Sequence, residues 1–205
     1  MELPELFVIG DSISIGYGPS LESMVHGVFQ YGRKGGALDP LGDVVQGGDS
    51  ARVLDYLKQL HEKRTFHPDV LLVNCGLHDL KTDRESGEKQ IPIGMYERNL
   101  CEIARTAAQL CGSMIWVRTT PVLFARHRKV KTFDRYEADV DSYNTVADNV
   151  MAAEGIMSAD LFTFTVKLGV AEALKEDGVH FRPVASRLQA AYLAGYLGRL
   201  RAGED

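Results

Sequence analysis

The stretch that decides the fold is LFVIGDSISIGYG, residues 6–18, in which an apolar run ends abruptly in Gly10, Asp11 and Ser12. An unbroken apolar run of this kind is typical of a strand that is buried on both faces of a parallel sheet. A glycine, a carboxylate and a hydroxyl directly after such a strand have two interpretations. They form an ordinary strand-to-helix turn, or they present one serine at the rim of the sheet.

Outward from this stretch, short apolar runs alternate with segments of helical period along the chain. The alternation predicts an α/β fold, a three-layer α/β/α sandwich around a flavodoxin-like parallel sheet of about five strands. With 205 residues, 45% of them apolar, the chain is expected to form a single domain over residues 1–205. The predicted strands are residues 6–10, 42–46, 69–76, 114–120 and 155–162, and the predicted helices are residues 21–29, 50–63, 93–111, 135–154 and 184–200.

Charge and hydropathy argue against several classes of partner. The net charge of −5 and the pI near 5.7 give no electrostatic footprint for nucleic acid or for an anionic membrane. The densest basic run, RHRKVK at 126–131, is followed by several acidic residues, so we expect a solvated loop there. No apolar stretch has the length of a membrane helix, so stable membrane insertion is not expected. The N-terminus lacks signal-peptide features, which predicts a cytoplasmic protein, while the oligomeric state is left open.

The cysteines point to neither a metal site nor a disulfide framework. Cys75, Cys101 and Cys111 are an odd number and show no CxxC or Cys/His ligand spacing, so buried thiols are expected. The chain also carries no nucleotide-binding signature. We therefore expect no metal and no cofactor.

Chemistry-bearing residues follow the predicted strands. In an open parallel sheet, ligands bind outside the carboxyl ends of the strands, so residues just after each strand share one rim. Another candidate pair, a carboxylate and a histidine three residues apart, precedes the last helix. The rim candidates are Ser12 after the first strand, Gly47 and Gly48 after the second, His78 and Asp79 after the third, Thr119 and Thr120 after the fourth, and Asp177 and His180 before the last helix.

This set of side chains suits acyl transfer. Serine is a weak nucleophile at its ordinary pKa and needs a neighbouring base, which a carboxylate then orients. His180 could remove the proton of Ser12 while Asp177 holds the other ring nitrogen. A tetrahedral intermediate also needs hydrogen-bond donors at its oxyanion. The candidate donors are the backbone N–H groups of Ser12 and Gly48 and the side chain of His78.

The same residues resemble the sequence blocks of the SGNH hydrolases, the GDSL esterase and lipase superfamily. GDSIS at 10–14 resembles the block that carries the nucleophile, here Ser12, and the glycine of the second block matches Gly48 in QGGDS, with Gly47 as an alternative. DGVH at 177–180 matches the Asp-x-x-His block, so the resemblance implies Asp177 and His180 as its acid and base. The third block, usually Gly-x-Asn-Asp, is GLHD here, with His78 where the family has an asparagine donor. The blocks span nearly the whole chain in the family's order.

The resemblance implies a serine esterase that acts on a small-molecule ester and removes a small acyl group, for example acetyl from a carbohydrate, or hydrolyses a short-chain ester or thioester. Two alternatives stay open. One is a lysophospholipase or acyl-thioesterase for longer chains, which the polar segments 81–90 and 126–134 disfavour. The other is a non-catalytic binding module that lost activity through the change at His78, which the presence of Ser12, Asp177 and His180 disfavours.

Two further expectations concern the surroundings of the rim. The polar segment 80–92 is the best candidate for a mobile flap over an active site. The remaining histidines are expected at the surface or at helix ends; they are His26, His61, His67 and His127.

Overall fold

A computed structural model describes residues 2–43, 47–64 and 66–202, and its centre is one parallel sheet. Its five strands lie in the order β2-β1-β3-β4-β5, and every neighbouring pair is parallel. This is the flavodoxin-like order, in which the chain winds first to one side of β1 and then to the other. The strands are β1 Glu5–Ile9, β2 Gln30–Arg33, β3 Val70–Val73, β4 Ser113–Val117 and β5 Met157–Ala159.

The central strand is buried as its sequence predicts. In β1, Phe7 lies between Gly32 of β2 and Leu71 of β3. Every residue from Leu6 to Ile9 is at most 1% exposed. Because helices cover both faces of the sheet, the apolar run does not alternate with polar residues.

Helices form the outer two layers. Contacts join α1 to α8, and α6 to α8, in one layer; α2 packs on α3 and α3 on α5 in the other. The three-layer α/β/α sandwich is therefore confirmed. In the described part of the chain, no helix is both long and apolar enough to span a bilayer. The helices are α1 Ser12–Val25, α2 Ser50–Lys63, α3 Ile93–Ala107, α4 Phe124–Val130, α5 Glu137–Ala153, α6 Leu161–Lys167, α7 Val170–Ala173 and α8 Pro183–Ala202.

The prediction of the second strand was wrong. The strand is Gln30–Arg33, whereas Gly42 and Asp43 lie outside any strand and residues 44–46 lie outside the described residues. This short strand lies at the sheet edge, is only partly buried and is held by backbone pairing with β1. Its sequence, QYGR, therefore needs no apolar run that could have predicted it.

The helix predicted at 21–29 is also displaced, since α1 is Ser12–Val25. Two glycines and Pro19 inside α1 obscure its helical pattern.

The basic run at 126–131 is exposed to solvent from Arg128 to Lys131, as expected, but it is mostly helical rather than a loop. Most of it lies in α4, where His127 is fully buried rather than at the surface. Arg126 Nη1 donates to the carbonyls of Ala171 (2.8 Å) and Leu174 (3.2 Å), so the helix docks on the segment that precedes the last helix. Long basic side chains can fix a helix onto neighbouring backbone, which a charge pattern alone does not distinguish from solvation.

Of the cysteines, Cys75 and Cys111 are buried free thiols, as predicted, and Cys101 is half-buried within α3.

The candidate flap at 80–92 contains a turn that hydrogen bonds and an ion pair connect to the segment around Asp134. Thr82 forms isolated bridges to Lys89 and to Asp134, and Arg84 pairs with Asp134 at 2.9 Å. Its mobility stays a prediction.

Candidate active site

The turn after β1 places Ser12 at the first position of α1. Asp11 caps the helix, since its Oδ1 accepts a hydrogen bond from the Ile13 N–H at 2.9 Å. The Ser14 hydroxyl donates to the Asp11 carbonyl at 2.7 Å and closes the turn. The first N–H groups of a helix have no partner within it. The Ser12 N–H is therefore suited to donate a hydrogen bond to a ligand oxygen.

Ser12, His180 and Asp177 form one hydrogen-bonded chain. His180 Nε2 lies 2.8 Å from Ser12 Oγ, and His180 Nδ1 lies 2.6 Å from Asp177 Oδ2. Burial opposes ionisation of Asp177, but hydrogen bonds from the His180 side chain and from the N–H groups of His180 and Val179 lower its pKa to about 2. An ionised Asp177 accepts Nδ1–H, which leaves Nε2 free to accept the proton of Ser12. The structure thus brings Ser12 into contact with a loop that lies more than 160 residues further along the chain and carries both Asp177 and His180.

The loop that carries Asp177 and His180 is held by α4. The Leu123 N–H donates to the Gly178 carbonyl at 2.8 Å, and His127 Nδ1 lies 3.4 Å from the Asp177 carbonyl oxygen. Gly178 has φ +69°, and a Cβ there would lie 2.4 Å from the Leu123 carbonyl oxygen. Only glycine fits this contact, a constraint that the sequence signals no more strongly than any Asp-Gly turn.

Substitution of Gly178 by alanine is expected to lower both stability and activity, because the new methyl group pushes the loop away from α4. Gly155→Ala is a matched control, since Gly155 has the same φ of +69° but open space around it. The control should lose only about 1 kcal/mol of unfolding free energy from backbone strain. Gly178→Ala should lose more and should lower ester hydrolysis about tenfold or further through displacement of His180. Thermal unfolding and initial rates measure both effects; equal stability losses with unchanged rates would contradict this role.

The glycine pair after residue 46 lies against the nucleophile turn. A Cβ on Gly47 would lie 2.4 Å from the Gly10 carbonyl oxygen, so the two backbones touch and no larger residue fits. Gly48 follows directly, and its nearest neighbour is the Arg52 side chain, which an added Cβ would meet at 2.9 Å. The predicted oxyanion glycine is therefore beside the turn of Ser12.

Asp79 anchors this glycine turn to the segment after β3. Its Oδ1 accepts a hydrogen bond from the Ser50 N–H at 2.8 Å, and Asn99 Nδ2 donates to Ser50 Oγ at 2.8 Å. Asp79 is fully buried, and burial raises its pKa to about 7 even though the bonds from Ser50 oppose this. The predicted rim residue Asp79 thus supports the glycine turn through its hydrogen bond with Ser50.

The titration of Asp79 gives a test of this anchor. Since its folded pKa lies above the ordinary 3.8, folding favours the protonated carboxyl; the stabilisation is complete below pH 3.8 and is lost as pH rises through about 7. Asp79→Asn keeps an acceptor for Ser50 but cannot ionise. Urea unfolding of the native protein should therefore show a fall in unfolding free energy between about pH 4 and about pH 7, and the variant a smaller fall. Identical slopes in both proteins would exclude Asp79 as the source.

His78 lies half-buried beside this turn, and its ring makes no hydrogen bond to any described residue. Burial, reinforced by the charges of Lys81 and Arg135, lowers its pKa to about 4. At neutral pH the imidazole is thus uncharged and carries a single N–H, which a substrate oxygen could accept. Among the described residues, neither Gly48 nor the His78 side chain is joined by a hydrogen bond to the Ser12–His180–Asp177 chain.

Comparison with known proteins agrees with this geometry. The model of the GDSL-like lipase/acylhydrolase family matches residues 8–188, a span that includes Ser12, Gly48, His78, Asp177 and His180. The chain belongs to this family. As a member of the GDSL-like lipase/acylhydrolase family, it is an ester-hydrolysing enzyme of the SGNH superfamily. No curated protein matches it in sequence.

Solved structures with a similar fold share little sequence with this GDSL-like hydrolase. A lipase/acylhydrolase from Enterococcus faecalis is 20% identical with a TM-score of 0.70, and the match covers 96% of this chain and 97% of that one. An acetylxylan esterase from Geobacillus stearothermophilus is 15% identical with a TM-score of 0.68, over 95% and 94% of the two chains. Another acetyl xylan esterase, AlAXEase, is 14% identical with a TM-score of 0.69, over 94% and 99%. At these identities the likeness shows the fold.

Proposed function

We propose that this hydrolase cleaves esters of small acyl groups by nucleophilic catalysis, with Ser12 as the nucleophile, His180 as the base and Asp177 as its orienting acid. The observation that carries the proposal is the hydrogen-bonded chain from Ser12 Oγ through His180 to Asp177, at 2.8 Å and 2.6 Å. Such a chain is the arrangement that activates a serine hydroxyl.

The steps follow from the positions of these groups. Ser12 Oγ attacks the ester carbonyl carbon while His180 Nε2 accepts its proton, and the resulting oxyanion receives hydrogen bonds from the Ser12 and Gly48 N–H groups. The intermediate collapses, the bond to the alcohol oxygen breaks, and His180 returns the proton to that oxygen. Water, deprotonated by His180, then attacks the acyl-serine, and the carboxylic acid leaves with Ser12 restored. Asp177 stabilises the imidazolium that forms twice in the cycle.

Two observations support a small or sugar-linked acyl group. The segments beside the site are polar: residues 83–88 are all exposed, and most side chains at 126–132 are charged. A long acyl chain needs an apolar wall instead. Two proteins of the same fold are acetylxylan esterases, which at 15% and 14% identity support the class of chemistry rather than the substrate itself.

A series of p-nitrophenyl esters of increasing acyl length tests the substrate proposal. We expect kcat/KM to be highest for acetyl to butyryl esters and to fall for longer chains, because the polar segments 83–88 and 126–132 provide little apolar surface for the additional methylenes. Release of acetate from acetylated xylo-oligosaccharides would then distinguish carbohydrate from simple esters. A maximum at octanoyl or longer would contradict the proposal and favour the lysophospholipase or acyl-thioesterase alternative.

His78 is proposed as a third oxyanion donor, in the place of the family's asparagine. His78→Ala should lower kcat for a small ester about 10²-fold, the usual effect of one lost oxyanion donor. His78→Asn should recover most of that loss, because an amide N–H replaces the imidazole N–H. Equal and mild effects of both substitutions would show that the ring only fills space, with the Ser12 and Gly48 N–H groups as the whole oxyanion hole.

A further inference from the structure

Arg135 is a buried cation beside the candidate triad that the proposed mechanism does not use. Only 6% of its surface is exposed, and its Nε donates to the Leu77 carbonyl at 2.6 Å, in the peptide that precedes His78. Within the described residues, the terminal nitrogens of its guanidinium donate to no protein group, and no carboxylate lies within ion-pair distance. The charge is thus fixed in place without a contact ion pair among the described residues.

Two carboxylates of the candidate active site, those of Asp11 and Asp177, act on the charge of Arg135. Burial lowers the pKa of Arg135 to about 10, while the charges of Asp11 and Asp177 oppose that decrease. The guanidinium is therefore charged at neutral pH and lies close to both the Ser12 turn and the triad acid. Asp11 Oδ1 accepts from the Ile13 N–H and Asp177 Oδ2 is bound to His180, whereas the buried Asp11 Oδ2 has no hydrogen-bond partner among the described residues, so Arg135 offsets part of the charge of Asp11.

Two more cations accompany Arg135. Lys81 Nζ lies 5.1 Å from the centre of the Phe133 ring, and the Arg135 guanidinium lies 5.0 Å from the same ring. On the other side, the exposed Arg52 packs its stem against Gly48. The positive charges of Lys81, Arg135 and Arg52 act to lower the pKa of His78, and the negative charge of Asp49 opposes them. We refer to Arg52, Lys81 and Arg135 as the cationic wall.

The chain keeps this wall at an energetic disadvantage. Burying a cation without a contact ion pair carries a large desolvation cost, which the more distant carboxylates and a ring face offset only in part. General basicity does not explain the cluster, because the whole protein carries a net charge of −5. An anion bound between the cations would offset both the desolvation and their mutual repulsion.

We propose that the cationic wall binds an anionic group of the substrate, so that the preferred ester carries a carboxylate or a phosphate close to the cleaved bond. The inference rests on the proposed function, since the triad at Ser12 performs the cleavage and the wall selects and orients the ester. The three cations thereby become specificity-determining residues of the same site.

Matched pairs of esters test this proposal. Mono-p-nitrophenyl succinate against its methyl ester places a carboxylate or a neutral group in the acyl part. The pair 4-acetoxybenzoate and methyl 4-acetoxybenzoate does so in the alcohol part, and 4-acetoxyphenyl phosphate against its dimethyl ester tests phosphate. In at least one pair, kcat/KM of the anionic ester should exceed that of the neutral one by about tenfold or more, the effect of one hydrogen bond to a charged group. The pair with the largest ratio identifies the anion and its position.

Variants then assign the preference to the wall. Lys81→Gln should reduce the anionic-to-neutral ratio about tenfold, mainly through KM, and Lys81→Arg should restore it because the charge returns. Arg135→Gln should reduce the ratio further; the ratio is informative even if that variant loses stability, since both esters meet the same enzyme. Lys167→Gln removes an exposed lysine of α6 outside the wall and should leave the ratio unchanged.

The outcomes separate this inference from the proposed function. Hydrolysis of neutral p-nitrophenyl acetate that depends on Ser12, without preference for any anionic ester, would overturn the inference and leave the esterase proposal standing. A preference that survives both Lys81→Gln and Arg135→Gln would also overturn it, because another feature would then bind the anion. Loss of Ser12 dependence on every ester would overturn the proposed function itself.

Discussion

Replacement of Ser12 by alanine is expected to lower kcat/KM for p-nitrophenyl acetate by about 10³-fold or more, because the hydroxyl that forms the acyl-enzyme is gone. The fold should be intact, since within the described part of the chain the Ser12 side chain bonds only to His180 and the helix cap comes from Asp11. Ser23→Ala, on the exposed face of the same helix, is a matched control that should keep full activity. Initial rates and circular dichroism measure both properties. Activity within tenfold of the native protein would exclude Ser12 as the nucleophile.

Replacement of His180 by alanine should cost about as much activity as Ser12→Ala, and the double variant should lose little more than either single one. The reason is that the base has no role without the nucleophile, so the two act as a unit. Asp177→Asn should have a smaller or comparable effect, since the ring loses its orienting carboxylate while the base is still present.

Kinetics on all four proteins, with the same ester and enzyme verified as folded, give the coupling directly. If the double variant showed the product of the two single losses, Ser12 and His180 would act independently and the triad assignment would be wrong.

The sequence predicted those elements whose local pattern matches their burial. β1 and β3 are unbroken apolar runs because helices cover both sheet faces, and the prediction found both. The prediction missed β2 because its sequence, QYGR, lies at the sheet edge. There the strand forms by pairing with β1 rather than by burying apolar side chains. The prediction missed α4 because Arg126 binds backbone carbonyls of a distant segment, a contact that no local pattern contains.

For the site, chain order was the informative signal. Ser12 follows the central strand, and Asp177 and His180 share one loop, so the motif spacing was enough to bring them to the same rim. What the sequence could not supply is the support around them. The contact of Gly178 with Leu123 and the bond of Asp79 to Ser50 join segments that are far apart along the chain, as does the bond of Arg135 to Leu77. Such pairings depend on three-dimensional packing, and no local sequence pattern marks the residues that form them.

Labelling with a fluorophosphonate tests the central claim most directly, because this reagent phosphonylates a serine only when a neighbouring base activates it. The native protein is incubated with the probe, digested and analysed by mass spectrometry, alongside Ser12→Ala, His180→Ala and the Ser23→Ala control. We predict one adduct, on Ser12, in the native protein and the control, none in Ser12→Ala, and much slower labelling in His180→Ala. An adduct on another residue, or a folded native protein that stays unlabelled, would contradict the assignment of Ser12 as a nucleophile activated by His180.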